Sequence, residues 1–538
     1  VVIALEEDHI YTISETNFDE EDFALIFKNE EIKKNILHAK ETMIYLKRQG
    51  IELKGLEFDP LLATYLLKPS DSLPSLTDLL DKELNIVLED EMTQCSSTGF
   101  ILGKIFELKQ LLLNKLEDKK LLKLYCDIEI PLVKVLVEME FNGIKVDTEY
   151  LNELSKKWEK ELSSITEKVH ELAGEEFNLN SPQQLGDILF EKLGLPVIKK
   201  TKTGYSTSID VLEELEDKHE IIPLIMDYRQ AAKFKSTYID ALPPLVNSED
   251  GRIHTSFNQM VTATGRLSST YPNLQNIPIR TEAGREIRKA FIPENDDWVL
   301  LAADYSQVEL RVLAHISGDE SLTEAFNTGQ DIHTETASEV FEVKPEQVTS
   351  DMRREAKVIN FGIAYGMSPY GLASDLDISQ KEAEKYIDRY FERFAGVKEY
   401  TEEIKKQAQE EGYVTTIFNR RRYLPEIKSR NYHKRSFAER TAINTPIQGS
   451  AADIMKVAMI DVYNRLQSEE IRDQARMLLQ VHDELVLEVK QDLLTRTARI
   501  IKEEMETAVD LDVPLIVDLQ TGSNWRDKQD YELDLKLF

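Results

Sequence analysis

Two apolar runs, far apart in the chain, each lead into an aspartate, and that limits the folds open to this sequence. Residues 298–303 (WVLLAA) read as a buried strand that delivers Asp304 at its tip. Residues 477–489 (MLLQVHDELVLEV) read as a hairpin, two apolar halves around His482, Asp483 and Glu484. A polar turn is ordinary, and taken alone these three groups could be merely solvated. If both strands share one sheet, two carboxylates meet at its rim. Such a pair repels unless it shares a proton or holds a cation. Oxygen ligands with few companions suit Mg²⁺, which keeps its waters and completes its shell from phosphates. Two such ions about 3.5–4 Å apart would clamp an in-line phosphoryl displacement.

The second constraint is a stripe. In residues 353–366 (RREAKVINFGIAYG), Arg353, Lys357, Phe361 and Tyr365 fall at intervals of four. A helix turns about 100° per residue, so each step drifts only ~40° and the four side chains line one slanting face. Two cations, an aromatic ring and a phenol in that order suit a ligand with phosphates at one end and a flat base at the other. An amphipathic core helix with solvated basic residues has the same periodicity. Gly362 and Gly366, beside the aromatics, suggest a flat partner approaching the backbone closely.

A formal charge of −32 over 538 residues argues against a simple nucleic-acid reader. Net charge sets the long-range field, however, while binding uses local patches. Such patches are Lys199, Lys200 and Lys202; Arg229, Lys233 and Lys235; Arg280, Arg285, Arg288 and Lys289; and Arg420 to Arg422 with Arg430, Lys434 and Arg435. Acid gathers elsewhere, as in residues 15–31, so the sequence describes an acidic body with basic grooves. The length corresponds to two to four domains. No apolar run reaches a membrane span and no stretch resembles a signal peptide. Cys95 and Cys126 fit no metal-site spacing, so a reducing cytoplasm is expected. The opening VVIAL reads as part of a strand, which predicts a fragment cut from a longer chain.

In order, residues 1–118 read as a small α/β domain with an opening hairpin and helices near 31–49 and 60–67. A helix over 130–141 stops at Gly143 and is followed by another over 148–172. Asn180, Ser181 and Pro182 signal a helix start toward residue 193. Residues 199–206 (KKTKTGYS) read as a mobile basic loop. Residues 264–279 (TGRLSSTYPNLQNIPI) read as a surface loop. They would also suit a sugar-phosphate backbone, with neutral hydrogen bonds along it and Arg266 and Arg280 meeting phosphates. Ser306 and Glu309 form an S-x-x-E capping box ahead of a helix at 308–316. Helices are expected at 330–341 and 379–394, and residues 440–453 lead into a long one at 454–467.

At these residues the chain resembles a known family. DYSQVELR (304–311), RREAKVINFGIAYG (353–366) and QVHDE (480–484) resemble the three signature motifs of family A DNA polymerases. TGRLSSTYPNLQNIPIR (264–280) and NTPIQGSAAD (444–453) match further family segments. The agreement runs from about residue 125 to about 525 and is similar in type to the large, Klenow-like fragments of bacterial members from Bacillus and other Firmicutes. It implies a mixed α/β multidomain fold: a right hand of thumb, palm and fingers behind an N-terminal ribonuclease H-like domain of 3′–5′ exonuclease type. The expected segments are 1–118 for that domain, 119–297 for linker helices and thumb, and 298–330 for the first part of the palm. Residues 331–445 would be fingers, and 446–538 the rest of the palm with a C-terminal tail.

The resemblance also implies template-directed addition of dNTPs to a primer 3′ end with release of pyrophosphate, in DNA repair and replication. Two Mg²⁺ ions would serve, with Mn²⁺ as a substitute. By motif position Asp304 and Asp483 would be metal ligands, with the Tyr305 carbonyl assisting and Glu484 nearby. Arg353, Lys357 and His333 would hold the triphosphate, and Lys357 is placed as a general acid to the leaving pyrophosphate. Phe361 would stack on the incoming nucleotide, Tyr365 would sit at the templating base, and Gln307 belongs to the nucleotide-binding set. Glu309 would block a ribose 2′-hydroxyl as well as cap its helix. Arg266, Asn273, Gln275, Arg280, Arg440, Asn444, Gln448 and His482 would contact primer, template or the terminal pair. The implied partners are primer–template DNA and dNTPs, and the implied state is a monomer at the bacterial nucleoid, away from membranes.

The N-terminal domain departs from the pattern. Proofreading relatives carry an Asp-x-Glu pair on an early strand, an Asn-x-x-x-Asp and a Tyr-x-x-x-Asp. Here Asn35 is followed by Ala39 where the acid belongs, and residues 96–113 hold no Tyr-x-x-x-Asp. The Asp-x-Glu pair would lie upstream of Val1 or be absent; a scaffold without proofreading is therefore expected, as is a chain without the 5′-nuclease domain of full-length relatives. Residues 534–538 (DLKLF) resemble the Gln-Leu-x-Leu-Phe peptide that docks on sliding clamps; Leu535, Leu537 and Phe538 would be the anchors and Asp534 the lead-in. A tail packed on the palm or disordered is the plainer alternative. Two rivals stand beside the polymerase reading: a catalytically idle primer–template binding protein of the same fold, and a metal-dependent nuclease, which lacks an acid cluster outside these motifs.

Overall fold

The computed structural model describes residues 2–6, 9–12, 20–70, 72, 74–86, 94–202, 204–279 and 281–533. Arg280 and the stretch from Asp534 to Phe538 therefore lie outside the described residues.

The N-terminal part carries a short antiparallel hairpin, Val2–Glu6 with His9–Thr12. A parallel pair, Lys34–Asn35 with Leu56–Phe58, follows. The helix expected over 31–49 begins only at Ala39, because residues 34–35 are taken up by that pairing. Helix Pro60–Leu67 is fully buried and Asp59 caps it, accepting from the Leu61 amide.

Helix α1 (Ile130–Asn142) ends at Gly143, whose φ of +57° lets the chain reverse. A long helix, Thr148–Ala173, packs on Ile221–Phe234, and beyond them Leu179, Leu189, Leu212 and Ile221 form a separate small core. Ser181 accepts from the Gln184 amide and Pro182 occupies the first turn, as the start signal predicts. Residues 199–206 are not the open loop expected. Lys200–Thr201 pairs with Gly204–Tyr205, and the Tyr205 ring packs 5.0 Å from Phe190, which anchors the strand pair to the small core.

The centre is a five-stranded antiparallel sheet of β1 (Trp298–Tyr305), β2 (Ala475–Val481), β3 (Glu484–Lys490), β4 (Val517–Gly522) and β5 (Lys528–Asp530), in the order β2-β3-β1-β4-β5. Leu300, Leu301, Ala302 and Ala303 are all buried, since β1 is covered on both faces and needs no polar alternation. Helix α1 packs on β2, and the helix Leu494–Glu506 lies on β1, β3 and β4.

Between β1 and β2 the chain builds a helical module around Leu322, Phe326, Ile359, Ile363, Tyr390 and Phe394. It includes α2 (Val308–Ser317), α3 (Ile332–Phe341) and α4 (Ser350–Ala364). It ends in α5 (Tyr432–Ser468), one unbroken helix of 37 residues. The long helix expected at 454–467 thus begins far earlier and carries Pro446 inside it. An interior proline costs a helix about 3 kcal/mol. Residues 445–447 are nevertheless all buried, and the Thr445 hydroxyl donates to the Thr441 carbonyl at 2.7 Å, so tertiary packing outweighs the local preference. No helix among the described residues is long and apolar enough to cross a membrane.

Candidate active site

The two acid-tipped runs do share one sheet. Asp304 stands in register with Glu484 on β3 and with Asp518 on β4, so three carboxylates sit abreast on one face. The β2–β3 hairpin turns through His482 and Asp483 alone, with His482 at φ +56°. The Tyr305 amide donates to the Asp483 carbonyl at 3.1 Å, which ties the end of β1 to that turn. The groups open onto a cleft of about 1360 Å³ whose walls include Arg288, Trp525 and Lys528.

The carboxylates are not equivalent. Glu484 is fully engaged: the Lys528 ammonium pairs with Oε1 and the Trp525 indole N–H donates to Oε2 at 3.3 Å. Among the described residues neither the Asp304 nor the Asp483 carboxylate has a hydrogen-bond or ion-pair partner. Desolvation in the cleft, with the charges of Glu484 and Asp483 behind it, pushes Asp304 up to about 7. Desolvation also raises Asp483, against the pull of Arg266. No group of three or more His, Cys, Asp or Glu among the described residues forms a metal cage by itself.

The stripe forms as the spacing predicts, with a different ending. Arg353, Lys357 and Phe361 lie on α4, while Tyr365 is the residue that closes it. Arg353 is committed to Asp331 (Nε to Oδ2, 2.5 Å), whereas Lys357 has no ion pair among the described residues and lies 6.0 Å from the Phe361 ring centroid. His333 is 2 % exposed, 6.0 Å from the Phe361 ring, and its Nδ1 accepts from the Asn360 amide at 3.0 Å. Burial, reinforced by Arg353 and Lys357, lowers it to about 4 against Asp331, so the ring is neutral. The glycines are not openings for a ligand. A Cβ on Gly366 would meet the Ile443 side chain at 2.9 Å and one on Gly362 would meet the Met367 sulfur at 3.2 Å, so both serve packing within the chain.

The capping box is not formed. Gln307, at φ +56°, is the residue before α2, and no side chain caps that helix. The turn out of β1 is too sharp for Ser306 to reach the helix amides, and Ser306 instead gives its carbonyl to Arg311. Glu309 is buried and its oxygens are taken by Arg266 (Nη2 to Oε1, 2.6 Å) and the Tyr365 hydroxyl (to Oε2, 2.7 Å). Gln448 is a further hydrogen-bond neighbour of Tyr365.

The remaining sites expected to touch DNA divide. Arg266 and His482 line one small hollow with Asp483, and burial together with Arg266 and Arg288 lowers His482. Gln275 lines the same hollow; Asn273 accepts from the Gln275 amide, and Gln275 donates to the Gln480 carbonyl at 3.0 Å. Arg440 donates to Ser436, and Asn444 carries a buried amide oxygen with no partner among the described residues. The sequence reading missed Asp518, Lys528 and the Trp525 contact. The alternation of residues 513–519 (VPLIVDL) could have marked Asp518 as a third acid on a strand, but nothing local marks Lys528.

Comparison with known proteins bears on this geometry. The family described as DNA polymerase family A matches residues 148–527, and the ribonuclease H-like domain of DNA polymerase I matches residues 1–93. DNA polymerase I of Bacillus subtilis is 51% identical over 515 residues, covering 93% of this chain and 58% of that protein. DNA polymerase I of Geobacillus stearothermophilus is 49% identical over 542 residues, covering 98% and 62%. The chain thus spans about three fifths of these relatives. Among solved structures, the POL domain of Pol1 from M. smegmatis in complex with DNA primer-template and dNTP superposes with a TM-score of 0.88 at 42% identity, over 96% of this chain and 89% of that one. With its acid-tipped sheet and its stripe helix inside the matched stretch, this chain belongs to DNA polymerase family A.

Proposed function

We propose that this chain is a template-directed DNA polymerase that extends a primer 3′ end with dNTPs, and that it does so without proofreading. The observation that carries the reading is the pair Asp304 and Asp483, two carboxylates without partners among the described residues, at the end of a strand and in the neighbouring turn, facing a large cleft. An all-oxygen pair, with the Asp518 carboxylate beside it in the same cleft, fits hard divalent cations that take the rest of their shell from substrate phosphates, and Mg²⁺, with Mn²⁺ as substitute, suits it. Bound there, two ions would supply Lewis-acid activation of the primer 3′ oxygen and charge stabilisation at the leaving oxygen.

The chain's own residues do the rest. Asp304 and Asp483, with the Tyr305 carbonyl, would hold the cations. Lys357, without an ion pair among the described residues, meets the triphosphate with Arg353 beside it. As the 3′ hydroxyl oxygen bonds to the α-phosphorus it gives its proton up to solvent, the bond to pyrophosphate breaks, and the Lys357 ammonium is placed to give that leaving group a proton. Phe361 offers a flat face to the base. Glu309, held between Arg266 and Tyr365, stands where a ribose 2′-hydroxyl would enter. In the hand of the family, the five-stranded sheet is the palm, the module of α3 and α4 the fingers, and the pair Thr148–Ala173 and Ile221–Phe234 the thumb.

The absence of proofreading is supported by Ala39, buried at the start of its helix, in the position of the missing acid. The neighbouring Asp59 is spent on hydrogen bonds from the Ala39 and Leu61 amides. One assay tests the whole reading: extension of a primed template with four dNTPs and Mg²⁺. Chelator-sensitive extension is expected, whereas binding of the duplex without extension would favour the idle binding protein. In the absence of dNTPs a mispaired 3′ nucleotide should stay in place, and its release would overturn the reading of the N-terminal domain.

A further inference from the structure

We propose that Lys528 is a positioning residue: by clamping Glu484 it keeps that carboxylate out of the metal ligand set and sets the charge of the site. The inference rests on the metal-dependent polymerase reading and adds a residue to it. Strand β5, which begins with Lys528, starts one residue beyond the stretch matched by the family, and pairs with β4 with Lys528 opposite Gly522. The Lys528 side chain is only 8 % exposed, and its ammonium is spent on Glu484 Oε1. The second oxygen of Glu484 takes the indole N–H of Trp525. Trp525 is itself immobilised, 1 % exposed, with the Phe291 ring edge-on at 5.5 Å and the Arg288 guanidinium 3.9 Å from its own ring centroid.

Ordering a lysine this deeply costs side-chain entropy, so the pair must return it through a short contact away from bulk water. The consequence falls on the neighbours. Glu484 faces Asp304 across the sheet, and Asp518 stands on the other side. Left free, Glu484 would add another ligand and a further negative charge to the pair formed by Asp304 and Asp483. Clamped, it leaves Asp304 and Asp483, with Asp518 beside them, and a site of lower charge, which holds a divalent cation loosely enough to exchange between rounds of addition. A plainer role, tying the edge strand β5 to the β2–β3 hairpin, would need the contact but not the charge.

The test uses the full chain bound to a primer–template duplex and reads Mn²⁺ binding by paramagnetic resonance, beside Mg²⁺ titrations of extension. Lys528→Met keeps the aliphatic stem and the strand pairing but removes the ammonium. It should bind Mn²⁺ roughly tenfold more tightly, the effect of one unit charge several ångströms away at an intermediate dielectric. The Mg²⁺ concentration for half-maximal extension should fall with it, and Lys528→Arg should return both toward the wild-type values. Glu484→Gln alone should weaken Mn²⁺ binding, because it leaves the ammonium uncompensated. The double variant Glu484→Gln with Lys528→Met should restore wild-type affinity. A double variant as weak as Glu484→Gln would mean that Glu484 ligates the metal, and would overturn the proposal. So would Lys528→Met within twofold of wild type. If Lys528→Met does not fold, the double variant, which carries no unpaired charge, decides alone. Failure of the polymerase reading is separate: it is seen as wild-type chain that does not extend a primer, whatever the Mn²⁺ affinities.

Discussion

The phenol of Tyr365 donates to Glu309 Oε2 at 2.7 Å and so joins the C-terminal end of α4 to the first turn of α2. The same carboxylate receives Arg266 from a loop 43 residues upstream. Glu309 is thus a joint between three segments, and not a helix cap. Glu309→Ala should cost about 1–3 kcal/mol, since a half-buried phenol loses its acceptor and the Arg266 guanidinium its partner. It should also raise the ratio of ribonucleotide to deoxynucleotide incorporation. Selectivity that stays unchanged while the unfolding midpoint falls would limit Glu309 to the joint.

Asp304→Ala and Asp483→Ala should each abolish extension while leaving primer–template binding nearly intact, because the cleft keeps its basic walls. Rates at saturating Mg²⁺ and duplex affinity by anisotropy check both halves. Extension above about a hundredth of the wild-type rate would count against metal ligation, a role expected to be worth several kcal/mol in the transition state.

Lys357→Ala should slow the chemical step by about 10²–10³-fold, as removal of one well-placed donor to developing charge typically does. Single-turnover rates at saturating dNTP separate this from weaker binding. A change seen only in nucleotide affinity would leave Lys357 its charge role and remove its proton.

His333 carries a pH dependence whose sign is set by burial. Its folded value is about 4 against an ordinary 6.5, so between these limits the unfolded chain binds a proton that the folded chain refuses. The stability that His333 contributes is complete above pH 6.5 and is lost as the pH falls toward 4. His333→Gln should flatten the thermal midpoint over that window, and parallel curves for the two proteins would exclude the imidazole as the cause.

Glu129 is wholly buried, 2.7 Å from the Lys456 ammonium and paired with Arg420, which also bonds Asp453. The cluster joins the start of α1 to α5 and to the loop before residue 421. Glu129→Ala leaves two buried cations with one acid and should destabilise the chain by about 3–5 kcal/mol. Chemical denaturation measures it, and a loss below about 1 kcal/mol would mean that water enters to replace the carboxylate.

Much of this was legible from local pattern. The apolar runs around residues 298–303 and 477–489 announced the central strands, and the step of four from Arg353 to Phe361 announced α4, because burial imposes the periods of strand and helix directly on residue order. Asp304 and Asp483 could be picked out for the same reason: an acid directly after an apolar strand stands at the sheet's rim. What the sequence could not hold was partnership. Whether Glu309 caps its own helix or accepts from Arg266 and Tyr365, whether Pro446 breaks α5, whether Gly362 and Gly366 make room for a ligand or for Met367 and Ile443, and which cation meets Glu484 all depend on segments tens or hundreds of residues apart. Those choices are settled by which surfaces pack together, where the exclusion of water makes a distant ion pair or a snug side chain outweigh the preference of the local chain.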